Sequence, residues 1–376
     1  MRDGILLVSD VPVSESSPAA WRLQAYARRL SARGGGLLLC PGPVGLVDLG
    51  PGVRQVPVDT PPGLSGDRRA ALVSDLLGLV LERNAPRLVH TFGVEVAVPA
   101  VLHRPRSGRR AHLVIEPGVL PSQAMRDKDP ELAPTRLVDL VALEDKTLSR
   151  ADALVSSTMT ETSTLVRRGL DSERIHLLPR PVVDLGLDEP VPAMPNLVAW
   201  VDGEPWTAWR TLLDAVSRLH CPWRLTLLAG PGTPVAAIEQ HARWTRSTEK
   251  LTIVRDLSLE NLAARLQSAR AVVCVLDETR SVQAGSVVPE AALLARAARR
   301  RVVGPDLPAL RAHAGPALYA HEAGADGLAR ALESILSDPQ VAAWSEEAEA
   351  FAQAVGLEAF EMRLDALWDS VGGEDG

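Results

Sequence analysis

Short, uninterrupted apolar segments recur along the chain with a helical stretch between each, and this rhythm restricts the fold more than any other feature. Ile5-Leu6-Leu7-Val8, Leu37-Leu38-Leu39-Cys40, Leu88-Val89-His90 and Ala153-Leu154-Val155-Ser156 do not alternate polar with apolar residues. Strands of that kind bury both faces, which requires a parallel sheet with helices on either side. Residues 111–115 supply one more such run, and helical patterns cover about 19–32, 67–83, 134–148 and 161–168. Pro18 near the start and Gly34-Gly35-Gly36 after the end punctuate the first of these helices as expected.

The rhythm then breaks and resumes. Between Pro179 and Pro195 there are five prolines and no periodicity, the composition of an interdomain linker. A second set of strands follows at Leu197-Val198-Ala199-Trp200-Val201, at 224–229, at 251–254, at 271–276 and at Arg301-Val302-Val303. Helical stretches over about 207–219, 259–269 and 289–298 lie between them, and more helix follows from about 326. The expected architecture is α/β: two doubly wound Rossmann-like domains, residues 1–183 and 184–340, facing a central cleft. Ligands should lie beyond the carboxyl ends of the strands.

Composition removes several function classes. Forty basic against 47 acidic residues give a net charge of −7, which argues against nucleic-acid binding. No apolar run approaches the roughly 20 residues of a membrane span, and Ile5 to Val8 has no cleavage-site pattern behind it. Cys40, Cys221 and Cys274 are odd in number and lack a CxxC pair, so neither a disulfide framework nor a zinc site is expected. These features together predict a cytoplasmic protein without a metal. Aromatic residues make up 3% of the chain, so the cores must be built from Leu, Val and Ala. Only three lysines (Lys128, Lys146, Lys250) accompany the many arginines, as a GC-rich bacterial coding sequence would produce.

Four stretches carry a resemblance to a known family. Glu144-Asp145-Lys146 through Ala151-Asp152-Ala153-Leu154-Val155-Ser156-Ser157 resembles an "E…aD.vi..S" segment, continued by Leu165 to Gly169 and by Arg174 to Pro179. Leu225 to Gly232 resembles an "l.ivG.G" strand and turn. Ala269 to Val273, Gly285 and Glu290 to Ala295 resemble the "aD.fv.pS..E.fG….EA.A.G.PVV" pattern, closed by Val302 to Asp306. In order and spacing these are similar to the GT-B-fold glycosyltransferases of the large retaining, sugar-nucleotide-dependent family (glycosyltransferase family 4-like).

The resemblance implies transfer of a sugar, of hexosyl type, from a nucleotide-diphosphate sugar to an acceptor glycan, lipid or protein. The nucleotide sugar is a substrate, so no cofactor is implied. It also implies that residues 341–376 form a C-terminal helix packing back on the first domain. By position Glu290 would contact ribose, and the backbone of Gly285, Ser286 and Val287, with Gly230, would approach the nucleotide. Several positions depart from the pattern. The first motif glutamate falls on Val282, and the usual glycine-rich loop after the first strand is Ser14-Glu15-Ser16-Ser17. Asp202 and Glu204 stand where the family places a diphosphate-binding cation, which leaves Arg210 as the replacement.

The family's histidine after the fourth strand corresponds to Glu116 or Pro117, while His90 matches the first histidine of a "vvHaH" strand end. Glu116 and His90 are therefore the candidate catalytic groups. An alternative reading is a catalytically inactive GT-B partner or scaffold that has lost its donor-site residues. A third is another doubly wound enzyme acting on a sugar nucleotide, such as an epimerase. The basic run His103 to Arg110 could approach an anionic lipid surface, which implies at most peripheral membrane contact. Arg296, Arg299, Arg300 and Arg301 read as cations at a helix C-terminus.

Overall fold

The computed structural model describes residues 4–14, 17–61, 64–103, 111–129, 131–182, 185, 190–203, 207–230, 232–255, 257–277 and 290–372. The chain divides into two units: Met1–Pro181 with Glu358–Gly376, and Val182–Leu357. In unit 1 the strands are β1 (Ile5–Ser9), β2 (Gly36–Pro41), β3 (Val53–Val58), β4 (Leu88–Phe92), β5 (His112–Glu116), β6 (Ala153–Ser156) and β7 (Ile175–Leu177). Its helices are α1 (Pro18–Ala32), α2 (Gly66–Asn84), α3 (Val98–His103), α4 (Pro121–Lys128), α5 (Val138–Leu148) and α6 (Met159–Arg167). The sheet runs β3-β2-β1-β4-β5-β6-β7, parallel throughout. The order therefore reverses beside β1, between β1 and β4, which is where a doubly wound sheet opens a crevice at its carboxyl edge.

Unit 2 repeats the plan. Its elements are β8 (Asn196–Val201), α7 (Trp209–Ser217), β9 (Arg224–Ala229), α8 (Val235–Trp244), β10 (Leu251–Val254), α9 (Leu259–Gln267) and β11 (Ala271–Val273). They continue as α10 (Glu290–Ala297), β12 (Arg301–Pro305), α11 (Pro308–Ala314), β13 (Leu318–His321), α12 (Gly324–Ser337), α13 (Pro339–Ala342) and α14 (Glu346–Ala354). The order β10-β9-β8-β11-β12-β13 places the reversal between β8 and β11. Leu6, Leu38, Val114 and Leu154 in unit 1, with Leu197, Leu227 and Val303 in unit 2, are completely or almost completely buried, as two-sided burial demands. Both units have the Rossmann-like doubly wound form.

Two strands escape the apolar-run criterion. β3 and β13 lie at sheet edges and are mostly half-buried, so they need no continuous hydrophobic run. Pro57, which has no N–H, is tolerated in β3 because that strand has a partner on one side only. Of the arginines around α10, Arg296, Arg300 and Arg301 donate to carbonyl groups, whereas Arg299 pairs with the Glu349 carboxylate. Buried Arg300 donates to Ala269 O (2.9 Å) and Gln267 O (3.1 Å), and Arg296 donates to Val355 O (2.8 Å). Arg300 thus satisfies the carbonyls left open at the end of α9.

The last helix, α15 (Leu357–Gly372), packs into unit 1 through Phe360, Leu364, Leu367 and Trp368. Its neighbouring stripe, Glu361, Asp365 and Asp369, meets Arg29 of α1 and Arg33, which caps that helix. Hydrogen bonds from Arg29 and Arg33 hold the Asp365 carboxyl below its ordinary range. Trp368 is fully buried and donates its indole N–H to His90 Nδ1 at 3.1 Å. Trp368→Ala should therefore destabilise unit 1 by about 3–5 kcal/mol, while the exposed ion-pair variant Asp369→Ala should cost little. Chemical denaturation of the two variants beside the parent measures both effects.

Candidate functional site

In unit 1 the polar groups gather at the carboxyl ends of β4, β5 and β6. Glu116, the last residue of β5, is 3% exposed and accepts a hydrogen bond from Tyr26 Oη at 3.0 Å. Arg22 forms an ion pair with the same oxygen, Oε2, and Arg180 Nε lies 3.7 Å from Oε1. Burial pushes the Glu116 carboxyl up, while the charge of Arg22 and the bonds from Tyr26 and Arg22 draw it back down. Arg22 and Tyr26 come from successive turns of α1, a helix opened by Ser17, whose side chain accepts from Ala20 N, followed by Pro18. The i, i+4 spacing brings both side chains to one face.

His90 lies inside this face. Its Nδ1 accepts from Trp368, which places the proton of the neutral ring on Nε2. The ring is stacked on Phe92 at 5.1 Å and meets Tyr26 edge-on at 5.3 Å. Complete burial, with Arg22 nearby, lowers its pKa to about 3, so the ring stays neutral and out of water. The structure thus brings both His90 and Glu116 against Tyr26, but His90 orients an indole inside a core whereas Glu116 carries the charge.

Glu161 was not among the sequence candidates. Its Oε2 accepts from Ser157 N (2.7 Å) and Ser157 Oγ (2.8 Å), while Thr158 Oγ1 accepts from Glu161 N (3.1 Å). This resembles a capping box at the start of α6. Burial raises the Glu161 pKa to about 7 despite those bonds. The acidic residues of the segment that carries the family resemblance hold the fold. Buried Glu144 accepts from Ser122 N (2.6 Å), Ser122 Oγ (2.8 Å) and Arg168 Nη2 (2.9 Å), and Asp152 accepts from Leu113 N (2.7 Å).

In unit 2 the candidates sit around the carboxyl ends of β8, β9 and β11. Glu290 opens α10. The fully buried Cys274 thiol is pushed well up by burial, with the charges of Asp202 and Glu290 adding, so the three groups share one neighbourhood. Asp202 accepts from Thr207 Oγ1 (2.6 Å) and Trp200 Nε1 (3.3 Å). Arg210 is exposed on the first turn of α7 with its guanidinium 4.5 Å from the centre of the Trp209 ring. Gly230 follows β9 and is buried; a Cβ there would lie 2.6 Å from Trp200 Cζ2. The glycine therefore makes room for an indole. Gly203 is equally constrained, since a Cβ would stand 2.5 Å from Gly232 O. Gly285, Ser286 and Val287, with Val282, Glu204 and the basic run 104–110, lie outside the described residues. Among the described residues no group of three or more His, Cys, Asp or Glu side chains is placed to hold a metal ion, and no helix is long and apolar enough to cross a membrane.

Comparison with known proteins fits this geometry. Residues 18–181 match the family model described as a glycosyl transferase 4-like domain. No curated protein sequence matches significantly. Among solved structures, sucrose-phosphate synthase from Thermosynechococcus elongatus is 17% identical and superposes with a TM-score of 0.78, covering 99% of this chain and 100% of its own. Anabaena HepE, solved in complex with UDP-glucose, is 13% identical with a TM-score of 0.72 over 97% of this chain and 99% of its own. The lipopolysaccharide outer core galactosyltransferase WaaB is 13% identical with a TM-score of 0.63 over 98% of this chain and 99% of its own. The family match is confined to unit 1, and the superpositions give the whole chain the GT-B fold.

Two outcomes follow. Gly230→Ala should cost roughly 1–3 kcal/mol by forcing its methyl into Trp200, and Trp200→Leu should restore much of that loss; paired thermal melts test it. The folded state keeps a proton on Glu161 up to about pH 7, whereas the unfolded chain releases it in the ordinary carboxylate range. Stability should therefore fall as pH rises between those limits, and Glu161→Gln should flatten the dependence in denaturation measured across that window.

Proposed function

We propose that this chain transfers a hexosyl group from a nucleoside-diphosphate sugar to an acceptor hydroxyl, with unit 2 holding the donor and unit 1 the acceptor. The observation that carries this reading is the position of Glu290. It opens a helix in the neighbourhood of Cys274 and Asp202, where the unit 2 sheet reverses its order. A carboxylate at that point can accept from ribose hydroxyls, and the N–H groups of the same helix end favour a phosphate. The complexes of HepE with UDP and with UDP-glucose support a nucleotide sugar as donor on the same fold. The free cysteines, Cys40 and Cys274 among them, fit a reducing cytoplasm.

The chemistry in such a site consists mainly of positioning and of stabilising charge on the departing diphosphate. Arg210, stacked on Trp209, is the side-chain cation we assign to that charge. Glu116 is not assigned proton transfer, because Arg22, Tyr26 and Arg180 occupy its carboxylate. Asp202 favours a second reading, a GT-B partner protein without transfer, since a fixed acid opposes a diphosphate.

Calorimetry with nucleoside diphosphates, UDP first, separates these readings. Donor use predicts binding that Glu290→Ala weakens by about tenfold or more through loss of the ribose contact. Absence of binding by every nucleotide overturns the donor assignment, and binding without sugar transfer to any acceptor selects the second reading.

A further inference from the structure

Among the described residues, the Glu116 cluster contains more positive charge than it uses. One carboxylate faces two guanidiniums, Arg22 and Arg180. The other ionisable groups packed against it add little compensation. Tyr26 is buried and its pKa is pushed well up, first by desolvation and then by the Glu116 charge. His90 is neutral. Glu161, an acid whose charge is coupled to Glu116 and Arg22, is about half protonated near neutrality and has its Oε2 occupied by Ser157.

The donors are also underused. Arg22 Nε and Arg180 Nε are buried with no hydrogen-bond acceptor among the described residues, and the 3.7 Å approach of Arg180 to Glu116 is too long to be one. Yet these side chains are not sealed in. Arg22 is 12% and Arg180 14% exposed, against 3% for Glu116 beneath them. A solute reaching the carboxyl edge of the sheet meets the guanidiniums before the carboxylate. Arg22 is held in place with its guanidinium 4.8 Å from the Phe92 ring centre and 5.7 Å from that of Tyr26. Such a cation loses little freedom when it binds an oxyanion.

We propose that Arg22 and Arg180 form an oxyanion-binding site in unit 1, with Glu116 as an internal counter-ion that holds the two cations ready and competes with the ligand for them. The ligand class is a small molecule bearing a phosphoryl or carboxylate group. Within the transfer reading of the preceding subsection it is the anionic group of the acceptor. The site itself is defined by binding in the absence of any donor, so failure of sugar transfer leaves it standing.

The test is calorimetric titration at low salt, without nucleotide, using inorganic phosphate, glucose 6-phosphate and glucuronate. The parent protein should bind at least one of them. Arg180→Gln, which leaves the closer Arg22–Glu116 pair in place, should weaken that binding by about tenfold. Glu116→Gln should strengthen it severalfold, because the amide oxygen can still accept from Tyr26 but no longer neutralises a guanidinium. A purely structural ion cluster predicts no strengthening from Glu116→Gln. Thermal melts verify that both variants are folded, and the pair Glu116→Gln/Arg22→Met replaces either one that is not; it should lose binding without leaving a buried charge. Tighter binding of glucose 6-phosphate than of phosphate identifies a sugar-borne anion, and the reverse identifies the free ion. Failure of all three probes to bind both the parent and Glu116→Gln overturns the proposal, as does affinity that Arg180→Gln leaves unchanged.

Discussion

A parallel sheet covered on both faces leaves very little room for polar chemistry, and that constraint governs both units of this protein. Every interior strand pairs on two sides and packs above and below, so a polar side chain in mid-strand must be satisfied inside the core. His90 shows the consequence. It pairs in register with Leu7 and Val114, two positions short of Ser9, Phe92 and Glu116 in strand depth. That depth separates a histidine held neutral in an aromatic nest from a carboxylate at the edge that can hold two arginines. On the strands themselves, exposed reactive or binding groups are confined to the last position, and the rest of a site must come from the helices and loops at that edge.

Helix α1 connects the edge of the unit 1 sheet to the terminal helix. Arg22, Tyr26, Arg29 and Arg33 fall at intervals of four, three and four residues, so they form one stripe along its length. The first two reach Glu116, and the last two reach Asp365 and Asp369 of α15. Tyr26 also touches Phe360 and Trp368. A segment from the far end of the chain thereby completes the core around His90. The arrangement of Glu116 and its arginines depends on that completion, since Tyr26 packs against α15 on one side and donates to Glu116 through its hydroxyl.

The doubly wound plan was legible because it rests on local patterns. Continuous apolar runs marked β1, β2, β4 and β6, and prolines marked the stretch in which the two units divide. Edge strands β3 and β13 were not legible, since half-buried strands need neither alternation nor a long apolar run. The site was legible only in part. Glu116 could be found as an acid ending a strand, but Arg22 and Tyr26 lie some ninety residues away, and Arg180 stands among prolines where no pattern speaks. The spacing of Arg22 and Tyr26 on one helical face was the available signal. Gly230 shows the opposite problem: a glycine in a motif-like position is explained by the indole ring of Trp200 packed against it, a contact that no local pattern encodes.

The charges at the two carboxyl edges are inverted relative to what the resemblance implies. Unit 1, where a neutral or acid–base group is expected, has two guanidiniums around one carboxylate. Unit 2, where a cation is expected, has Asp202 held by Thr207 and Trp200, with Glu290 acting on the same buried thiol. In low-dielectric surroundings a misplaced charge costs more than a missing one, because its field opposes the ligand at short range. Under the proposed donor reading, a diphosphate at the unit 2 edge would meet, among the described residues, the N-terminus of α10 and Arg210, whose exposed guanidinium is screened by salt. The unit 1 edge is the reverse case. Its arginines are largely shielded from solvent and held in place by Glu116 and the aromatic rings around them, so on the reading proposed above their attraction for an anion is screened far less.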